Sequence, residues 1–157
     1  MKTEKIVLDT SVIAEYLDEE SPYSAEIEEL FQRIFEGKTE AYLPLTTVSE
    51  SIYVAAKIYE EAGIENPNEE ALRLVKWLLS SPNIKLAKPT LEISIHAGEL
   101  KKEIRIALTD CYVIATAKAL KATPLFLKLE KEMEPHKEKL EKHGVKYLIE
   151  EQPNQEK

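Results

Sequence analysis

Cysteine is nearly absent from this sequence: Cys111 stands alone among 157 residues, so no internal disulfide is possible. A reducing, cytoplasmic setting is the expectation that follows. No apolar run approaches the length of a membrane span, and no signal-peptide pattern opens the chain. Glycine is scarce, with four residues, while Glu and Lys abound, a balance compatible with a thermophile but not diagnostic of one. No repeat, low-complexity block or internal linker interrupts the sequence, and no closely spaced pair of His or Cys residues marks a zinc site. Positive charge is short overall, at a formal net of −8. The deficit is uneven: residues 1–96 carry a net −9 and residues 97–147 a net +3, leaving room for a basic face in the second half.

What is present is a 43% apolar chain long enough for one domain with a substantial core, expected over residues 1–150, with 151–157 as a polar, disordered tail. The organising stretch is Lys5 to Tyr16. Ile6, Val7 and Leu8 form the unbroken apolar run of a strand buried on both faces, and the run ends at Asp9, before two hydroxyl residues and a helical segment. Asp9 thus falls at the carboxyl end of a first strand, where parallel α/β folds place their ligands, although Asp9 and Ser11 also suit a helix cap.

Along the rest of the chain, strands are expected at 40–43, 84–86, 124–127 and 146–149. Helices are expected from Ser21-Pro22 to Gly37, from Thr46 to Gly63, from Asn66-Pro67 with Glu69 completing a capping box, and from Pro89-Thr90. An alanine-rich helix follows Asp110, and a charged helix spans Glu130 to Lys142, closed by Gly144. Strands alternating with helices imply an α/β fold: a three-layer α/β/α sandwich around a mostly parallel central sheet.

Four acidic residues stand at element junctions: Asp9, Glu50, Asp110 and Glu130. Each has a local explanation, such as the Thr47-x-x-Glu50 capping box or the attraction of a helix amino terminus for negative charge. Glu50 and Asp110, however, are embedded in apolar helices without Lys or Arg close by. A carboxylate there is costly unless it is paired or bound to a cation. Clustered carboxylates with hydroxyls nearby select a hard, oxygen-seeking ion, Mg²⁺ or Mn²⁺. Other chemistries fare worse. Cys111 in an apolar helix reads as packing, even with His96 elsewhere in the chain. His136 and His143, seven apart on the charged helix, read as solvated surface. An aspartyl-phosphatase motif would need a second Asp where Ser11 stands.

The pattern resembles PIN domains, especially the small VapC-type toxin ribonucleases. The resemblance rests on Ile6-Val7-Leu8-Asp9-Thr10-Ser11, on Leu43-Pro44-Leu45-Thr46-Thr47-Val48-Ser49-Glu50 and on Leu108-Thr109-Asp110-Cys111-Tyr112-Val113-Ile114-Ala115, in that order over roughly Lys5 to Ile149. After the fourth strand the chain departs from the family pattern of a hydroxyl residue, one residue, Asp and a later aromatic: Lys128, Glu130 and Met133 stand at those positions, with Glu132 as a second candidate acid.

The resemblance implies metal-dependent cleavage of RNA phosphodiesters. Asp9 and Asp110 would be direct Mg²⁺ or Mn²⁺ ligands, Glu50 a direct or water-mediated one, and Glu130 an outer or second-metal ligand. Ser11 and Thr109 would orient ligands or the phosphate. A catalytically weak or inactive binding module is the alternative. The resemblance further implies a homodimer and a protein antitoxin as partner, with no membrane. Tyr42, Tyr53, Tyr59 and Trp77, spread among aliphatic residues, add to the expectation of a dimer.

Overall fold

A computed structural model describes residues 3–150. The expected polar tail at 151–157 lies outside the described residues. Five strands, β1 (Glu4–Leu8), β2 (Thr39–Pro44), β3 (Ile84–Ala87), β4 (Thr123–Phe126) and β5 (Lys146–Tyr147), form one sheet in the order β3-β2-β1-β4-β5. Every pairing is parallel, with Ile6 opposite Ala41 on one side and Thr123 on the other. Seven α-helices flank the sheet among the described residues: α1 (Thr10–Tyr16), α2 (Ser24–Phe35), α3 (Leu45–Glu61), α4 (Pro67–Leu79), α5 (Leu91–Ile104), α6 (Leu108–Leu120) and α7 (Lys137–Lys142).

Strand alternation in β1 divides the core. Ile6 and Leu8 point into one cluster with Val12, Ile13, Phe31, Ile34 and Leu78, from α1, α2 and α4. Val7 points the other way, into a cluster with Ala97, Leu100, Ile114, Met133 and Leu140, from α5, α6, α7 and the chain leading into α7. Helices therefore cover both faces, which is why β1 tolerates no polar position between Ile6 and Leu8. Each of these side chains removed from water contributes about 1.5–3 kcal/mol. The outer strands are short, and β1, in the middle, has hydrogen-bonded neighbours on both sides.

Several local details differ from the sequence expectations. The charged segment after β4 is not one helix from Glu130. Residues 131–133 form a turn, Glu134–His136 a 3₁₀ turn, and only Lys137–Lys142 is α-helical. Pro135 explains the break, since it lacks an N–H and pushes the preceding residue away from helical geometry. His143 caps α7 and bonds Glu103 at 2.9 Å, so it is tied to α5 instead of simply solvated.

Ser21 does not start a helix: its hydroxyl accepts the Tyr23 N–H at 3.0 Å, and α2 begins at Ser24. Asn66 precedes α4 in a left-handed conformation, φ 55°, without a side-chain cap, so the Asn66–Glu69 capping box does not form. Gly37 and Gly144 do stop helices, at φ 80° and 82°, where a side chain would be strained. Strand β5 ends at Tyr147, yet the N–H groups of Leu148 and Ile149 still reach the carbonyls of Phe126 and Leu127 at 2.9 and 2.8 Å.

Candidate functional site

The connection from β3 to β4 crosses to the far side of β1, so the sheet reverses its winding between β1 and β4. Crevices beyond the carboxyl ends of strands at such a reversal are the ligand sites of open α/β sheets. Asp9 is the residue at that point. Its N–H donates to the Leu125 carbonyl of β4 at 3.0 Å, and its side chain caps α1 by accepting the Ser11 N–H at 3.0 Å. Cap and candidate ligand are therefore the same carboxylate, not alternatives.

Ser11 fastens the strand exits together. Its hydroxyl donates to Asp9 Oδ2 at 2.6 Å and accepts the Leu127 N–H, just past β4, at 3.1 Å. On the β2 side, Thr47 donates to the Leu8 carbonyl at 3.3 Å and is buried. Thr47 therefore holds α3 against the end of β1 and does not cap the helix with Glu50. The α3 helix already begins at Leu45, behind Pro44. One turn on, Glu50 accepts a hydrogen bond from the Thr109 hydroxyl at 3.2 Å, which ties α3 to the first turn of α6, where Asp110 follows.

Asp9, Glu50 and Asp110 thus come together from three elements far apart in sequence. Asp9 is only 6% exposed, and burial raises its pKa; the Ser11 hydrogen bonds counter this, and the charge of Glu50 adds to it. Asp110 is pushed up to about 7, first by burial, then by the charges of Asp9 and Glu50, by a hydrogen bond to the Asp9 carboxyl and by the charge of Glu132. The Glu50 charge on Asp9, and the Asp9, Glu50 and Glu132 charges on Asp110, are all those of carboxylates. Two acids in contact within a negative cluster favour one shared proton.

Glu130 is placed differently. Its carbonyl accepts the N–H groups of Met133 and Glu134 in the turn after β4. Glu132, two residues on, adds its charge to those that raise Asp110. In the same turn Met133 is driven into the core, 2% exposed. Thr47 is the residue the sequence reading left without its structural role. The signal was available, since a hydroxyl three residues beyond Pro44 reads as a cap only if the helix starts late.

The donor set of Asp9, Glu50, Asp110 and Glu132, with the Ser11 and Thr109 hydroxyls, consists of oxygen throughout and suits a hard divalent cation. Among the described residues no three ligating side chains stand in coordinating geometry as they are; Asp9 and Asp110 face one another across a hydrogen bond instead. Cys111, one residue beyond Asp110, is buried, and its thiol is pushed up to about 11, first by burial and then by the Asp110 charge, so it is inert packing. Two surface hollows lie elsewhere, beside Phe31 and Phe35 and beside Tyr53 and Lys57, and neither is lined by a member of the carboxylate group. No helix among the described residues is long and apolar enough to cross a membrane.

Comparison with known proteins agrees with this fold. VapC20 of Mycobacterium tuberculosis, described as a sarcin-ricin loop cleaving toxin, superposes with a TM-score of 0.62 at 11% identity, over 83% of this chain and 94% of that one. VapBC-1 from nontypeable Haemophilus influenzae gives 0.61 at 19% identity, over 92% and 98% of the two chains. FitAcB from Neisseria gonorrhoeae gives 0.52 at 26% identity, over 76% and 85%. No curated protein is significantly similar in sequence. The family model of the PIN domain matches residues 6–138, and the chain belongs to that family.

Proposed function

We propose that this protein is a metal-dependent ribonuclease that hydrolyses RNA phosphodiester bonds. The observation that carries the reading is the meeting of Asp9 and Asp110, carboxyl to carboxyl, with the charge of Glu50 on both. Asp9 and Asp110 would hold Mg²⁺ or Mn²⁺ directly, Glu50 directly or through water, and Glu132, with Glu130 further out, at the periphery. A divalent ion bound there would supply charge against the phosphate and lower the pKa of water.

The chain's own residues do the rest. Ser11 holds one Asp9 oxygen and the β4 exit in register. Thr109 orients Glu50, leaving its second carboxylate oxygen to accept a proton or to align the attacking water. Thr47, bonded to Leu8, keeps the helix bearing Glu50 from drifting away from Asp9. No side-chain nucleophile is needed.

Solved structures with this fold include toxin–antitoxin complexes, and an antitoxin is the partner we infer here. An Arg or Lys set against Asp9 and Asp110 would satisfy both acids through charge-assisted bonds and exclude a cation. A homodimer is also proposed. Leu91 and Ile95, 77% and 54% exposed, lie one turn apart on α5, and Leu108 at the start of α6 is also exposed. Trp77 and Tyr53 are exposed as well, whereas Tyr42 and Tyr59 are half-buried, so the apolar surface near α5 is the better dimer candidate.

A catalytically weak binding module is the second reading, because Lys128, Glu130 and Met133 stand where the family pattern after β4 has a hydroxyl residue, Asp and an aromatic. Cleavage of RNA that stops on chelation and returns with Mn²⁺ supports the enzyme. Inactivity of metal-loaded protein on a broad panel of structured and single-stranded RNAs supports the module.

A further inference from the structure

Small side chains at Ala55, Ala56 and Ala71 let α3 and α4 pack closely. Beside that seam the two helices leave an open hollow of about 620 Å³, within the size range of small-ligand sites. Ser49, Tyr53, Ala56 and Lys57 of α3 line it, with Asn68 of α4 opposite.

The hollow begins where the carboxylate group ends. Ser49 immediately precedes Glu50, and Tyr53 stands one turn beyond it. Lys57 follows Glu50 by two turns, so the two sit nearly in line on one face of α3, roughly 10 Å apart along its axis. Glu50 is held toward α6 by the Thr109 hydroxyl. The row Glu50, Tyr53, Lys57 therefore runs from a candidate metal ligand out along the hollow. Tyr53 is 66% exposed, and Lys57 is exposed as well. Among the described residues, no other side chain engages the Tyr53 ring in a ring contact or the Lys57 ammonium in an ion pair.

This placement answers an electrostatic difficulty of the site. The charges of Asp9, Glu50 and Glu132 all bear on Asp110, and the protein carries a net −8. One divalent ion offsets the phosphate it touches, but the flanking phosphates of a strand lie beyond its immediate reach. A lysine against Glu50 would compete with the cation for that carboxylate. A lysine two turns on leaves Glu50 to the cation and still meets the same strand. Aromatic rings, for their part, stack on unpaired bases without regard to sequence.

We propose that the hollow between α3 and α4 seats a nucleotide of single-stranded RNA beside the scissile phosphate. Its base stacks on Tyr53, and Lys57 contacts the phosphate on the side away from the metal. Asn68 and Glu60, which also line the hollow, face the hydrogen-bonding edge of the base. The inference deepens the ribonuclease reading and rests on it.

The test uses full-length protein carrying Asp110→Asn to block turnover, with Mg²⁺ present. Binding of a short, labelled, mixed-sequence single-stranded RNA is followed by fluorescence anisotropy across a KCl series. Adding Lys57→Met should weaken binding about fivefold at low salt and reduce the slope of log affinity against log salt by about 0.7, the signature of one lost phosphate contact on a single strand. Lys57→Arg should preserve both. Tyr53→Leu should weaken binding about fivefold or more with the slope nearly unchanged, and Tyr53→Phe, which keeps the ring, should bind as the parent does.

Unchanged binding in either Lys57→Met or Tyr53→Leu overturns the proposal. An equal loss in Lys57→Met and Lys57→Arg, or in Tyr53→Leu and Tyr53→Phe, also overturns it, since neither a charge contact nor stacking would then be at work. Wild-type cleavage assays run alongside separate the two levels. RNA cleavage by the wild type with binding indifferent to Tyr53 and Lys57 defeats the nucleotide seat alone. A wild type that neither binds nor cleaves RNA defeats the ribonuclease reading and the seat with it.

Discussion

The carboxyl of Asp110 is hydrogen bonded to that of Asp9, although the two residues lie a hundred positions apart on α6 and at the end of β1. With Glu50 and Glu132 adding like charge, the pair holds a proton up to about pH 7 at Asp110. A group whose pKa is raised on folding contributes stability that is full below its unfolded value, near 3.8, and is lost as pH rises through its folded value, about 7. Metal-free protein should therefore lose stability between about pH 4 and pH 7. Asp110→Asn should flatten that profile and stabilise the metal-free protein at pH 8 by on the order of a few kcal/mol. Chemical denaturation of both proteins in EDTA across this range checks the sign.

Metal binding should show the complementary behaviour. A cation that binds only the folded state raises the melting temperature, by about 3 kcal/mol of stability at a hundredfold excess over its dissociation constant. Because the proton on Asp110 must leave first, the Mn²⁺-induced shift should be small at pH 5.5 and grow through pH 7.5. In Asp110→Asn most of the increment should vanish. A shift of the same size in that variant would place the cation elsewhere.

Much of this arrangement was legible in the sequence, for physical reasons. Ile6-Val7-Leu8 has no polar position because both faces of β1 are covered, so the run itself announced a central parallel strand. Acids in apolar helices without basic neighbours announced their need for company, and Asp9, Glu50 and Asp110 do meet. The segment after β4 was harder to read. Charged residues of good helical propensity masked Pro135, and the turn that buries Met133 brings the charge of Glu132 to bear on Asp110. Helix starts were misplaced where hydroxyls serve other contacts, a tertiary one for Thr47 and a local turn for Ser21. Thr47 bonds Leu8 and Ser21 bonds Tyr23, and local patterns cannot distinguish those partners from caps.

That turn yields a sharper expectation for the fourth acid. Glu132→Gln should lower Mn²⁺-dependent cleavage about tenfold and ease the upward shift of Asp110, whereas Glu130→Gln should change cleavage less than about twofold. Initial rates at matched metal concentrations decide between them. The reverse ranking would mean that Glu130 swings into the site when RNA is bound.

Two helices end on side-chain-bearing residues in the left-handed region: Arg105 after α5 at φ 63° and Lys121 after α6 at φ 54°. Glycine adopts this conformation without a Cβ clash. Lys121→Gly should stabilise the fold by about 0.5–1 kcal/mol without altering cleavage, as read from urea midpoints at unchanged m-value. A destabilised Lys121→Gly would show that the lysine side chain, not its backbone, matters at that helix end.

The central claim is that Asp9 and its partner acids make a metal-dependent ribonuclease site, and one side-by-side assay addresses it most directly. Wild type and Asp9→Asn, purified in parallel, are incubated with a panel of structured and single-stranded RNAs in Mn²⁺ and in EDTA. Asparagine still accepts the Ser11 N–H, so the helix cap survives and folding is matched. The account predicts discrete cleavage by the wild type in Mn²⁺, none in EDTA, and a loss of at least about a hundredfold in Asp9→Asn. Equal cleavage by the two proteins, or cleavage that persists in EDTA, would contradict it.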